Sequence, residues 1–200
     1  AVEESPDHRF FNSAFYFENG KLMGVHRKVY LPTYGPFDEG RDLAAGDRIT
    51  TIQSRFGPLG IMICEDAWHP SVAYLLALDG AELFITLSSS PARGFRKGAK
   101  LASSAQRWAL FGASHAGFFT TPFLYCNRTG FEDGVAFAGG SFAVQADGKT
   151  LLSPRGREEG LHEVRVSRSV TRAVRTVTPL LRDERPGLVS QELARLRSNP

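Results

Sequence analysis

One stretch decides how this chain is interpreted: Gly60-Ile61-Met62-Ile63-Cys64-Glu65-Asp66-Ala67-Trp68-His69-Pro70. A short apolar run that follows a glycine predicts a buried strand, and this run ends at Cys64. Pro70 suits the first position of a helix, because its missing N–H would have no partner there anyway. Cys64 is therefore predicted at the carboxyl end of a strand, in a tight strand-to-helix turn. Such a turn exposes a nucleophile and directs backbone N–H groups at a developing oxyanion.

Cys64 also has a plainer interpretation, because a lone cysteine is more often a buried structural residue than a nucleophile. The chain has two cysteines, which do not form a disulfide framework and fit a reducing compartment. The other one, Cys126, lies inside an apolar run and is predicted to be part of the core. The choice between the two interpretations of Cys64 depends on the rest of the chain.

Composition and charge exclude several classes of protein. The 200 residues are 42% hydrophobic and 22% charged, which is ordinary for a globular domain, and the formal net charge is only +3. No apolar run approaches the roughly 20 residues of a membrane-spanning helix, and the first residues do not resemble a signal peptide. The six arginines between positions 165 and 185 lack the interleaved aromatic residues of a nucleic-acid-binding segment. We therefore expect a cytoplasmic protein that binds neither membranes nor nucleic acids.

Strands and helices alternate along the chain, and this alternation predicts an α/β layered domain. The dipeptide Asn19-Gly20 has the residues of a two-residue hairpin turn. Strands are predicted at residues 13–17, 21–26, 49–53, 59–64, 83–87, 122–126, 141–145, 149–152 and 161–166. Helices are predicted at residues 71–79, 97–116 and 187–197.

Three motifs occur in a fixed order along the chain. They are His26-Arg27-Lys28 with Tyr30-Leu31-Pro32 and Phe37-Asp38-Glu39, then the stretch from Gly60 to Pro70, then Asn127-Arg128-Thr129-Gly130 with Gly139-Gly140-Ser141. Each motif alone is weak evidence, but the ordered set resembles the nitrilase, or carbon–nitrogen hydrolase, superfamily. The resemblance implies an α/β fold of the α-β-β-α sandwich type and the hydrolysis of a non-peptide C–N bond.

The resemblance also assigns catalytic roles to Cys64, Lys28 and Glu39. In this family a cysteine thiolate attacks an amide or nitrile carbon, and water then cleaves the acyl-enzyme. Lys28 matches the family's lysine, whose charge favours the thiolate and the oxyanion. Glu39 matches a second glutamate that orients this lysine and keeps it charged. The backbone N–H of Glu65 is expected to complete the oxyanion hole. Without the motifs, Lys28 and Glu39 would be interpreted as ordinary surface residues.

Three residues match substrate-facing positions in the glutaminase domains of glutamine-dependent NAD synthetases, whose loop pattern is similar here. They are Tyr34, the side chain of Glu65, and Ser90. No cofactor is implied. A zinc site at His26 and His69 is not expected, because these histidines lack the paired spacing of metal ligands.

The chain departs from the family in one respect. The family's general-base glutamate lies several dozen residues before the lysine, whereas 27 residues precede Lys28 here. Neither Glu3 nor Glu4 matches that glutamate. The sandwich is therefore expected to be incomplete at its N-terminal side. Residues 1–166 are predicted to form a partial hydrolase domain, and residues 167–200 an extension that contacts another subunit.

The expected function is hydrolysis of a small carboxamide through a cysteine thioester, in a homodimer or higher homo-oligomer. Two alternatives stay open at this point. One is a glutaminase that supplies ammonia to a partner, and the other is a catalytically silent nitrilase-like binding protein.

Overall fold

The structure is a computed structural model that describes residues 1–94, 102–153 and 159–198. The strands are β1 (Val2–Glu4), β2 (Phe10–Glu18), β3 (Lys21–Arg27), β4 (Leu59–Ile63), β5 (Leu83–Ser88), β6 (Phe123–Asn127), β7 (Thr129–Glu132), β8 (Val135–Ala138), β9 (Phe142–Val144) and β10 (Thr150–Leu152). The α-helices are α1 (Pro70–Leu78), α2 (Ser103–Phe118), α3 (Arg168–Val177), α4 (Leu180–Asp183) and α5 (Pro186–Ser198). Short 3₁₀ helices cover Glu39–Arg41 and Cys64–Trp68.

The central sheet has the strand order β10-β9-β6-β5-β4. Strands β4, β5 and β6 are parallel, and β9 and β10 continue the sheet in antiparallel pairing. Ile63 pairs with Leu87, and Ser88 pairs with Asn127. The carboxyl ends of three parallel strands therefore meet at one edge of the sheet, which is where open α/β sheets bind their ligands.

Helices α1 and α2 cover one face of this sheet. Met62, Phe84 and Phe123 point to this face and are fully buried, together with Trp108 of α2 and Leu76 of α1. Burying a large apolar side chain completely contributes about 1.5–3 kcal/mol. This layer is the main core of the protein, and it holds the three parallel strands rigidly.

The opposite face of β4 packs against a second sheet of order β1-β2-β3. Ala14 of β2 meets Leu59, Ile61 and Ile63 of β4 in a second apolar cluster. The predicted hairpin is confirmed as β2 and β3, and both residues of its Asn19-Gly20 turn have positive φ, at 51° and 75°. The result is two packed sheets with α1 and α2 outside one of them.

Helix α3 is fastened to the turns below the central sheet by Arg175. Its guanidinium donates hydrogen bonds to the carbonyl oxygens of Ala81 and Thr120 and to the hydroxyl of Thr121. A groove of about 1440 Å³ lies between α3 and the sheet face that carries Leu83, Ile85 and Leu124. Among the described helices, none combines the length and the apolar character that crossing a lipid bilayer requires.

Two sequence-based predictions of strands are wrong, and one hairpin was missed. Residues 49–53 form only an isolated bridge, from Ile52 to Leu59. Residues 161–166 form no strand, and Leu161 is 99% exposed, because an alternating pattern without a neighbouring strand has nothing to pair with. The hairpin β7–β8 was not predicted, because Thr129 and Gly130 were interpreted as the end of the preceding strand.

Cys126 is exposed, so its prediction as a core residue is also wrong. Phe123, Tyr125 and Asn127 point to the buried face of β6, whereas Cys126 shares the other face with Leu124. The predicted helix at 97–116 is confirmed from Ser103 onward as α2, and its first residues lie outside the described part of the chain.

Candidate active site

Cys64 occupies the strained turn that its sequence predicts. Strand β4 ends at Ile63, the 3₁₀ helix begins at Cys64, and Pro70 is the first residue of α1. The φ angle of Cys64 is 46°, in the left-handed region. A non-glycine residue there costs about 1–2 kcal/mol, so the surrounding contacts must hold it in place.

The buried carboxylate of Asp66 supplies those contacts. One oxygen accepts hydrogen bonds from the backbone N–H of Ile63, at 3.0 Å, and from Nε2 of His26, at 2.9 Å. The other accepts from the backbone N–H groups of Val29 and Tyr30, both at 3.0 Å. Asp66 is 0% exposed. One carboxylate therefore holds the turn against the segment that follows β3.

Lys28 and Glu39 form an ion pair directly behind this turn. The Lys28 ammonium donates to both carboxylate oxygens of Glu39, each at 2.6 Å, and Lys28 is only 1% exposed. The structure thus brings together two predicted site residues that are separated along the chain. Burying a charged ammonium this deeply costs free energy, and the Glu39 carboxylate offsets that cost.

The proton affinity of Cys64 depends on burial as well as on the charge of Lys28. Burial raises the pKa of the Cys64 thiol above its ordinary value. The hydroxyl of Ser88 and the charge of Lys28 lower this pKa, while the carboxylates of Glu65 and Glu39 raise it. Burial is the largest of these influences. At neutral pH the resting thiol is therefore protonated, and a base must take its proton before it can attack.

A cavity of about 300 Å³ opens beside Cys64. The predicted residues Tyr34, Glu65 and Ser90 all line it. Lys28 does not line it, because its side chain lies beneath the surface. The cavity has the size of a small ligand site. None of the six candidate residues lines the larger groove under α3.

Three polar contacts organise the cavity wall. The Tyr34 hydroxyl donates to the carboxylate of Glu65, at 2.8 and 2.9 Å, and burial with this carboxylate raises the pKa of Tyr34 to about 12. The Ser90 hydroxyl accepts from Nε1 of Trp108 at 3.0 Å. The side-chain oxygen of Asn127 accepts from the Ser90 backbone N–H at 2.8 Å, so the third motif fixes this loop.

Two arginines of the cavity were missed at the sequence level. Arg93 follows the Ser-Ser-Ser-Pro loop, and Arg107 lies on α2. In the sequence, only the position of Arg93 three residues after Ser90 indicated that it could border the cavity. With Glu65 opposite, the cavity wall carries both signs of charge.

The two histidines of the motifs have structural contacts. His26 bonds to Asp66, and the ring of His69 stacks on Tyr30 with centroids 3.5 Å apart. No group of three or more metal-ligating side chains occurs in residues 1–94, 102–153 and 159–198.

Neither Glu3 nor Glu4 lies in the site. Glu3 accepts hydrogen bonds from Arg27 and Ser13, and Glu4 pairs with His8. Both belong to the outer sheet. They are therefore not placed to take a proton from Cys64.

Comparison with known proteins agrees with this geometry. The sequence matches the carbon–nitrogen hydrolase family over residues 1–176. The chain belongs to this family. The architecture is accordingly that of a nitrilase-type fold, as predicted.

Individual relatives give the extent of the match. A carbon–nitrogen hydrolase structure from Helicobacter pylori G27 superposes with a TM-score of 0.84 and 30% identity, covering 96% of this chain and 69% of that one. The glutamine-dependent NAD(+) synthetase of Thermotoga maritima is 31% identical over 147 residues, which are 72% of this chain and 24% of the synthetase. The N-carbamoylputrescine amidase of Solanum lycopersicum is 26% identical over 99% of this chain and 68% of its own length. The chain thus spans about a quarter of the synthetase.

Proposed function

We propose that this chain carries the nucleophile and substrate cavity of an enzyme that hydrolyses the C–N bond of a small carboxamide through a thioester on Cys64. The observation that carries the proposal is the placement of Cys64. It is held in a strained turn, beside a cavity of small-molecule size, with the buried Lys28–Glu39 pair behind it.

In the acylation step, the Cys64 sulfur attacks the amide carbon while its proton goes to a base. The carbonyl oxygen becomes an oxyanion, which the ammonium of Lys28 and the backbone N–H of Glu65 would stabilise. Lys28 uses two directions toward Glu39, and an ammonium has a third proton to donate. Glu65 is the second residue of a 3₁₀ helix, where a backbone N–H has no acceptor within the helix. The base returns the thiol proton to the nitrogen, and collapse of the intermediate breaks the C–N bond and releases the amine or ammonia.

The base in this step is expected to be a carboxylate other than Glu39. Both oxygens of Glu39 already accept from Lys28, so neither is free to take a proton from the thiol. A base is needed because burial raises the pKa of Cys64. Water then cleaves the thioester, with the same base activating it.

Glutamine is a second candidate substrate, favoured by the charges of the cavity wall. Glu65 can accept from an ammonium group, and Arg93 and Arg107 can pair with a carboxylate. An α-amino acid carries both groups, whereas an aliphatic amide carries neither. Hydrolysis of glutamine would release ammonia, as the alternative derived from the sequence requires.

An intact-mass experiment tests both candidates. The chain is incubated with glutamine or with short aliphatic amides, and the acyl adduct on Cys64 is located by peptide mass. We expect an adduct in the parent and in Cys126→Ser but none in Cys64→Ala. An adduct that persists in Cys64→Ala would exclude Cys64 as the nucleophile. An adduct formed only with aliphatic amides would exclude glutamine.

We also propose that the chain assembles as a homodimer. Val177, Leu193 and Leu196, on α3 and α5, are exposed in the single chain, and exposed apolar side chains favour a protein contact that covers them. Light scattering at micromolar concentration tests this, and a monomer mass would contradict it.

A further inference from the structure

Three buried hydroxyl groups lie together under the nucleophile without hydrogen-bond partners. They belong to Thr86, Ser88 and Tyr125, and their oxygen atoms have no partner within the described residues. An unpaired buried hydroxyl costs free energy, so proteins rarely keep one without a reason. Three in one place indicate that an acceptor forms there at some stage.

Strand register brings these groups beneath Cys64. Met62, Thr86 and Tyr125 pair across β4, β5 and β6 and point to the helix side of the sheet. Ser88 follows Thr86 by two residues and shares its face. Since Ile63 pairs with Leu87, the next step along both strands sets Ser88 beside Cys64.

Electrostatic coupling agrees with this placement. The Ser88 hydroxyl is close enough to lower the pKa of the Cys64 thiol. The pKa of Tyr125 is raised, first by burial and also by the neighbouring sulfur, while the Ser88 hydroxyl lowers it. The Tyr125 ring is fixed by stacking on Trp108, with centroids 4.5 Å apart. The Ser88 hydroxyl is therefore close to both the sulfur of Cys64 and the hydroxyl of Tyr125.

We propose that Ser88 donates its hydroxyl hydrogen to the Cys64 sulfur once that sulfur is a thiolate, with Tyr125 as a positioning residue behind it. This inference rests on the proposed role of Cys64 as nucleophile. A neutral thiol is a weak acceptor, which explains why Ser88 is unpaired in the resting site, whereas a thiolate is a strong acceptor. The thiol proton leaves to the catalytic base, and Ser88 keeps its own proton throughout.

Several other groups influence the same thiol and stay constant in the test. They are Lys28, Glu39, Glu65, Tyr34 and Tyr125, and Arg93 and Arg107 line the same cavity. All seven are unchanged in the Ser88 and Ser89 variants. A change confined to Ser88 therefore reports on the hydroxyl alone.

The test is the pH dependence of iodoacetamide alkylation at Cys64. All chains carry Cys126→Ser, because Cys126 is exposed and would react as well. The variants are Ser88→Ala, Ser88→Thr and, as a matched control, Ser89→Ala, which changes an exposed serine next in the chain. Circular dichroism checks that each variant is folded.

We expect Ser88→Ala to raise the alkylation midpoint by about one pH unit, which lowers the rate roughly tenfold at a pH below the midpoint. Ser88→Thr keeps a hydroxyl and should restore the midpoint, and Ser89→Ala should leave it unchanged. If Ser88→Ala does not fold, Tyr125→Phe provides the test, with a smaller shift in the same direction.

The inference is overturned if the alkylation midpoint of Ser88→Ala lies within 0.3 pH units of the Cys126→Ser background. The same criterion applies to Tyr125→Phe where that variant is used. If the inference is overturned, the hydroxyls serve another purpose, such as holding a buried water molecule. The readout does not depend on turnover. If the midpoint shifts but the chain forms no acyl adduct, the proposed function is contradicted and this inference stands. If the chain forms an adduct but the midpoint does not shift, this inference is overturned and the proposed function stands.

Discussion

Asp66→Asn replaces one acceptor oxygen with an amide NH₂ in a carboxylate that receives four hydrogen bonds. These bonds come from Ile63, His26, Val29 and Tyr30. The side chain is fully buried, so water cannot replace a lost partner. The substitution keeps volume and shape and changes only the polarity of one atom, which makes it a clean perturbation.

The expected loss depends on which way the new amide turns. If its NH₂ faces Val29 and Tyr30, two backbone N–H groups lose their acceptor, at about 1–3 kcal/mol each. If it faces Ile63 and His26, one backbone N–H loses its acceptor, because a histidine ring can accept in its other tautomer. The second arrangement costs less. Adding the loss of charge assistance in the remaining bonds, we expect a decrease of about 2–4 kcal/mol in the free energy of unfolding.

Urea unfolding of the parent and of Asp66→Asn measures this difference. Asp133→Asn is the control, because Asp133 is an exposed turn residue with φ of 48°, which asparagine tolerates equally well. The control should stay within about 0.5 kcal/mol of the parent, as surface substitutions usually do. If Asp66→Asn also stayed within that range, with an unchanged m-value, the idea that Asp66 holds the nucleophile turn would be refuted.

Three further substitutions test other parts of the structure. A Cβ on Gly60 would lie 2.8 Å from Cδ1 of Phe84 on the neighbouring strand, so Gly60→Ala should destabilise the protein by about 1–3 kcal/mol in urea unfolding; an unchanged midpoint would show that the Phe84 ring leaves room for a methyl group there. Glu39→Gln should lower the free energy of unfolding by about 1–3 kcal/mol, which is less than for a fully buried ion pair because Glu39 is partly exposed. An unchanged free energy of unfolding would mean that Lys28 finds another partner. Arg175→Met should raise amide hydrogen exchange throughout α3 while leaving the central sheet protected, and uniform protection would contradict the role of Arg175 in fastening that helix.

Local sequence determined the features that depend on a few neighbouring residues. The apolar run before Cys64 and the proline after it are enough to specify a strand, a tight turn and a helix. Asn19-Gly20 is enough to specify the hairpin turn, since both residues accept positive φ. The ordered motifs also selected the family, because each encodes a piece of backbone geometry around one site.

Features that depend on which surfaces face each other could not be obtained from the sequence. Cys126 and Tyr125 are adjacent in the same apolar run, yet one is exposed and the other buried, because only one face of β6 is covered by α2. Arg107 lies on a helix whose sequence gives no sign that one side borders the Cys64 cavity.

Cys64 shows most clearly the difference between what local sequence determines and what tertiary contacts determine. The sequence predicted its turn and its lysine, since both belong to motifs that are continuous along the chain. The raised pKa of the Cys64 thiol and the position of the Ser88 hydroxyl come from burial and from contacts between distant segments. Proton affinity depends on the dielectric surroundings and charges within a few ångströms of an atom, and only the tertiary structure places those groups around Cys64.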